Sequence, residues 1–190
     1  SRAKFHENEL GWMAKELIKK VIKSGGKAVF LTPLRALANE LHENWSNEFQ
    51  NQTVGIFTGD FGVGKSPEPK SFKDSDLLIM TPERLDACTR FWRQHWHWLP
   101  QVDLVIVDEI HLLNDQHRGP RLEGTLSRFQ RLNPFTRIIM LSATMGNLHE
   151  LASWIDGVAF QTFWRPVKLQ WKYCFYKKAD EKPEILFRIV

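Results

Sequence analysis

Two adjacent carboxylates, Asp108 and Glu109, follow an unbroken apolar, β-branched run from Leu104 to Val107. Such a run suits a strand covered on both faces, as in parallel sheets packed between helices. Acids at the C-terminal end of that kind of strand lie where open α/β sheets bind ligands. There one carboxylate can hold a hydrated Mg²⁺ while the other handles a water molecule. Taken alone, the pair is equally compatible with two solvated loop acids. Three further runs repeat the arrangement. Lys27 to Leu31 and Asp76 to Met80 both read as buried strands, followed by Thr32–Pro33 and Thr81–Pro82. Thr is a good N-cap and Pro is favoured in the first helical turn, so each pair predicts a helix N-terminus. The unpaired N–H groups and positive dipole end of such a terminus suit a phosphate, although two well-capped helices would look the same. Arg137 to Leu141 is the last such run. It ends in Ser142, Ala143 and Thr144, whose hydroxyls can bond a carboxylate or a phosphate, or cap the helix expected near Asn147.

The elements that must position these groups alternate along the chain. Leu10, Met13, Ala14, Leu17, Ile18 and Val21 recur at helical spacing, and Ser24, Gly25 and Gly26 end that helix. A second helix is expected from Leu34 to about Glu48, then a strand from Thr53 to Phe57 closed by Thr58, Gly59 and Asp60. Phe61 to Ser75, rich in Gly, Pro, Lys and Ser, reads as an exposed loop. A helix over Leu122 to Leu132 follows Gly119 and Pro120, and strands are expected at Val158 to Phe163 and Val167 to Phe175. Strands and helices in this order predict an α/β fold, a mainly parallel sheet with helices on both faces. Polar groups that fall consistently just after buried strands then point to a nucleotide- or phosphate-handling site. The aromatic stretch Phe91 to Leu99 carries His95 and His97. With no third ligand evident, it reads as packing at a helix end and not as a metal site.

Composition narrows the class without naming it. At 190 residues, 43% hydrophobic and 25% charged, the chain suits one domain with a sizeable core. No apolar stretch reaches membrane-spanning length, no secretory signal is evident at the start, and the two cysteines have no metal-ligand spacing. The expectation is a reducing compartment, cytoplasmic or nuclear, and no membrane. A formal charge of +4 permits a polyanionic partner but does not require one.

Several of these stretches together resemble the first RecA-like domain of superfamily 2 helicases, in the Ski-like DExH-box branch. Asp108, Glu109, Ile110 and His111 match the DEIH box, and Thr32 to Glu40 (TPLRALANE) matches motif Ia. Thr58–Gly59–Asp60 is similar to the TGD element, Thr81 to Asp86 (TPERLD) to the next nucleic-acid-contacting motif, and Ser142–Ala143–Thr144 to motif III. HLLND followed by RGPRLE, then SATMGN and WRPVKL, is similar in wording to archaeal Hjm-type DNA repair helicases. The resemblance covers Gly25 to Leu169. It implies an ATP-dependent helicase with ATP and Mg²⁺ as cofactors. Asp108 would hold Mg²⁺ through water, and Glu109 would orient or deprotonate the water that attacks the γ-phosphate. His111, Ser142 and Thr144 would relate the nucleotide state to movement of the strand. Thr32, Pro33, Arg35, Thr58, Gly59, Thr81 and Pro82 would touch the backbone of single-stranded or forked nucleic acid, with DNA favoured over RNA.

The match also has gaps. The family places a phosphate-binding P-loop before the first long helix, and Ser1 to Gly11 has no glycine-rich loop. Gly59 to Ser66 (GDFGVGKS) fits the P-loop pattern, but Pro67 and Pro69 follow where a helix should begin, so it reads as a chance match. The expectation is therefore a RecA-like lobe over residues 1–165 with its first motif absent or truncated. Residues 166–190 would begin a linker toward a second lobe in the full-length protein. The competing reading is a catalytically inactive RecA-like module that binds nucleic acid or protein.

Overall fold

The computed structural model describes residues 9–59, 73–142 and 145–161. Its centre is a five-stranded, wholly parallel sheet: β1 (Lys27–Leu31), β2 (Val54–Phe57), β3 (Leu77–Met80), β4 (Val102–Val107) and β5 (Arg137–Met140). The spatial order is β2-β3-β1-β4-β5, so β1 and β3 are interior with β4, and among the described residues β2 and β5 form the edges.

The two faces of the sheet are covered by different helices, and strand alternation assigns each residue to one of them. Ala28, Phe30, Leu77, Ile79, Leu104 and Ile106 point to one side, where they pack with Ala14, Ile18 and Ile22 of helix Glu9–Lys23 and Ala38, Leu41 and Trp45 of helix Arg35–Glu48. Val29, Leu31, Leu78, Met80, Val105 and Val107 face the other side, against Leu85 and Cys88 of helix Pro82–Arg90 and Leu122, Leu126 and Phe129 of helix Gly119–Leu132. Both faces of the central strands are thus dry, which explains why their sequences read as continuous apolar runs. The α/β sheet with helices on both sides is as expected.

Several boundaries differ for identifiable reasons. The first helix buries the Ala14–Ile18–Ile22 stripe and leaves Met13 42% exposed, so its buried face is rotated from the anticipated one. Gly25 ends it with a positive φ of 83°, a conformation that an L side chain resists. The second helix begins at Arg35 with Leu34 as N-cap, and not at Leu34 with Thr32 as the cap. Thr32 instead follows β1 directly and keeps its N–H in the sheet, donating to the Met80 carbonyl at 3.0 Å, and Pro33 disfavours a helical conformation for it. At the second pair, Thr81 is the N-cap and Pro82 the first helical residue, as expected, although the hydroxyl makes no capping hydrogen bond.

Helix Gly119–Leu132 starts three residues earlier than anticipated, because Gly119 and Pro120 are themselves in its first turn. Val158 to Gln161 is not a strand; no partner strand pairs with it among the described residues, and Val158 is 98% exposed. The rest of that segment, the strand expected at Val167 to Phe175, the linker expected over 166–190 and most of the Phe61 to Ser75 loop, including Lys65, lie outside the described residues. In the aromatic stretch a short helix, Trp92–His95, precedes Trp96 and Trp98, which are buried, while His95 and His97 are exposed. Trp96 packs on Phe57 and Trp98 at ring separations of 5.5 and 6.4 Å. Among the described residues, no helix is long and apolar enough to cross a membrane.

Candidate nucleotide and nucleic-acid site

Strand register brings the candidate residues into one row. Phe57 pairs with Met80, Met80 with Leu31, Leu31 with Val107, and Val107 with Met140. The residues immediately beyond these five are Thr58, Thr81, Thr32, Asp108 and Leu141, with Ser142 one step further. Backbone hydrogen bonds continue the row past the strands: Asp108 N–H donates to the Leu31 carbonyl (2.9 Å) and Leu141 N–H to the Val107 carbonyl (2.8 Å). At roughly 4.8 Å per strand, five strand ends span about 19 Å along the C-terminal edge. The hydroxyl-bearing residues Thr58, Thr81 and Thr32 occupy one half, and the carboxylates the other.

Local geometry turns the chain sharply after Asp108. Glu109 has φ 54° and ψ 45°, in the left-handed region. A bulky residue there costs of order 1–3 kcal/mol and persists only where its surroundings enforce it. Two neighbours do so here: the Glu109 N–H donates to Asp108 Oδ1 at 2.9 Å, and the Ile110 N–H donates to the Leu141 carbonyl at 2.9 Å while Ile110 itself is buried. The turn runs on as a short 3₁₀ segment, Ile110–Asn114.

The electrostatics of the pair are unfavourable as they stand. Burial, and then the negative charge of Glu109, push the Asp108 carboxyl up to about 6, outweighing the Glu109 N–H and His111, which act in the opposite direction. No Lys or Arg pairs with Asp108 among the described residues, which fits a site for a cation. Among the described residues no group of three or more metal-ligating side chains gathers. A divalent ion at Asp108 would therefore rely on water and ligand oxygens for most of its coordination. His111 Nδ1 lies 3.1 Å from Glu109 Oε2, at ion-pair distance but off hydrogen-bonding alignment.

The other candidates divide clearly. The Thr32 side chain is fully buried, and its Oγ1 has no hydrogen-bond partner among the described residues. Thr81 and Pro82 are buried, Thr58 and Gly59 are half-buried, Pro33 is half-buried and Arg35 is exposed. Ser142 is half-buried beside the row, whereas Thr144 and Asp60 lie outside the described residues.

The structure also assembles side chains to which sequence reading gave no role. Arg118 Nη2 reaches Glu83 Oε1 at 2.9 Å, and lies 3.5 Å from the Pro33 carbonyl. Burial pushes the Glu83 carboxyl up, but its own N–H, the Arg118 guanidinium and the Thr81 hydroxyl together hold it below its ordinary value. Asp86, also buried, accepts from Arg90 Nε, from Thr125 Oγ1 and from Arg128, tying helix Pro82–Arg90 to helix Gly119–Leu132. Arg84, buried in the same helix, places its guanidinium 4.8 Å from the centre of the Phe57 ring, next to the Thr58 turn. The signal was present in TPERLD and RGPRLE, but the pairing of their charges depends on tertiary contacts between segments 35 or more residues apart.

Comparison with known families bears directly on this row. Residues 12–151 match the model of the DEAD/DEAH box helicase family. The chain belongs to that family. Among its relatives, the ATP-dependent DNA helicase Hel308 of Methanocella arvoryzae is 35% identical over 174 residues, covering 88% of this chain and 22% of the relative. The Hel308 of Methanocaldococcus jannaschii is 38% identical over 144 residues, covering 76% of this chain and 11% of that protein. The chain thus spans about a fifth or less of the length of these relatives, and the matched family region contains all five strands of the sheet.

Proposed function

We propose that this chain is the first motor lobe of an ATP-dependent DNA helicase, acting with a second lobe that the longer relatives have length to accommodate. The observation that carries this reading is the single row of strand ends, with hydroxyls on the β2–β3–β1 half and the acidic pair on the β4 half. A row of this kind divides the work. Thr58, Gly59, Thr81 and Pro82, together with Pro33 and Arg35, would present hydroxyls, backbone groups and a guanidinium to a phosphodiester backbone, which positions a strand without reading its bases, while Thr32, fully buried with its N–H bonded to Met80, would support that surface from beneath. Asp108 and Glu109 stand at the nucleotide end.

There Asp108 would hold a hydrated Mg²⁺, whose positive charge compensates the buried carboxylate and supplies charge neutralisation at the β- and γ-phosphates. Glu109, whose backbone is left-handed and whose carboxylate lies near His111, would orient or accept a proton from the attacking water. His111 and Ser142, with Thr144, would pass the state of the nucleotide to the strand-binding half. The similarity of the relatives, both named as DNA helicases, favours DNA over RNA, and forked or single-stranded DNA fits a backbone-reading surface.

The decisive experiment replaces Glu109 in the full-length protein. Glu109→Gln is expected to lower DNA-stimulated ATP turnover by about 10²–10⁴-fold while ATP and DNA still bind, the range typical for loss of a general base. Unchanged turnover would remove Glu109 from catalysis and favour an inactive binding module.

A further inference from the structure

Besides the sheet's own hydrogen bonds, one side chain from the acidic half of the row reaches both Thr-Pro turns. Arg118 comes from the segment that follows the DEIH turn, and its guanidinium lies against both Thr-Pro turns: Glu83 Oε1 at 2.9 Å beside Thr81–Pro82, and the Pro33 carbonyl at 3.5 Å beside Thr32. The path back from Arg118 to the carboxylate pair has little slack. Leu112 N–H donates to the Glu109 carbonyl at 3.0 Å, and Asp115 N–H to the Leu112 carbonyl at 3.0 Å. Asp115 Oδ1 then accepts the backbone N–H groups of His117 (2.9 Å) and Arg118 (2.8 Å). Gly119 closes the segment, since a Cβ there would run into the Leu113 carbonyl oxygen. Three hydrogen-bonded steps of three residues therefore connect Glu109 to Arg118, and from there a charge-assisted contact crosses to the nucleic-acid side.

We propose that Arg118 is a positioning residue that fixes the spacing of the two Thr-Pro turns relative to the DEIH turn, so that a strand bound on the Thr32–Thr81 half sets the geometry of Asp108 and Glu109. The inference rests on the motor reading above and adds to it a route between the two ligands. A contiguous hydrogen-bonded path is a physical candidate for coupling, and coupling must be measured as such. Arg118 touches no reacting atom; it acts through Glu83 and the Pro33 carbonyl.

The test uses the full-length protein, ATP and an oligo-dT single strand, with turnover measured at increasing DNA concentration. Arg118→Ala is expected to keep DNA-free turnover within about twofold and to cut the stimulation by DNA about tenfold, within the usual range of coupling between sites. Arg118→Lys, which can keep the charge but not both contacts, should restore part of it. The reversed pair Arg118→Glu with Glu83→Arg should recover more stimulation than either single variant. A purely structural role would lower DNA-free and DNA-stimulated turnover together and would not be rescued by the reversal; that result overturns the proposal. Stimulation of Arg118→Ala equal to wild type also overturns it. If Arg118→Ala loses thermal stability, Glu83→Gln weakens the same contact with little change in shape and must show the same selective loss. Absence of DNA stimulation in the wild type would refute the motor reading instead, and that control separates the two failures.

Discussion

Replacing Asp108 by Asn should stabilise the metal-free chain at neutral and alkaline pH. The side chain is largely buried beside Glu109, and its carboxyl is raised from 3.8 to about 6. Linkage gives about 1.4 kcal/mol per unit, so ionising Asp108 in the folded chain would cost roughly 3 kcal/mol if the shift acted in full. Partial access of solvent screens the repulsion, and about 1–2 kcal/mol is the realistic size. The sign follows from the direction. An acid whose folded value is raised holds its proton more tightly when folded, so below the unfolded value, near pH 4, there is no penalty. As pH rises from there to about 6, the wild type loses stability relative to the variant, and above that the difference is constant. Asn keeps an oxygen able to accept the Glu109 N–H, so the turn is preserved while the charge is removed. Denaturation in the presence of a chelator should therefore show Asp108→Asn melting roughly 2–8 °C higher than wild type at pH 8. The two should coincide near pH 4. Equal stability at both pH values, or a less stable variant at pH 8, would refute the account of Asp108 as an uncompensated buried charge.

Other perturbations test separate parts of the site. Gly119→Ala forces a methyl against the Leu113 carbonyl oxygen and should cost about 1–3 kcal/mol by denaturant titration. Asp86→Asn removes the charge shared by Arg90 and Arg128 between two helices; because those arginines remain partly open to solvent, about 2–3 kcal/mol is expected, less than for a fully buried pair. Binding of a single strand should weaken linearly in log–log form as salt is raised, with Arg35→Ala reducing the slope by about 0.7, one phosphate contact. An unchanged slope would take Arg35 off the DNA backbone.

The sequence was most readable where chemistry and periodicity coincide. β1 fell on Lys27–Leu31 as expected because both neighbours of that strand are themselves buried, so the apolar run has sharp ends. The acidic pair and the two Thr-Pro turns were visible for the same reason: a strand that stops abruptly exposes whatever follows it. What could not be read was lateral. Register puts Thr58, Thr81, Thr32 and Asp108 side by side, yet the strands appear in the chain in a different order from that in the sheet. A Thr-Pro pair suits a helix start, yet only Thr81 sits at the N-cap; Thr32 keeps its N–H in the sheet and Leu34 takes the cap position. The Arg118–Glu83 pair joins residues 35 apart in the chain, and a lone arginine after a loop carries no local signal of such a partner.

The row of strand ends is also not straight. Adjacent strands in a twisted sheet turn by roughly 20–25°, so the four steps from β2 to β5 rotate the strand axes through roughly 80–100°. With that general twist, the strand directions at the β2 and β5 ends would differ widely. A rigid body pressing on the nucleotide end along the local strand axis would push across, and not into, the groove at the other end. On the motor reading proposed above, a push at the acidic end would then reach a strand held at the other end as a sideways displacement, a consequence of sheet twist.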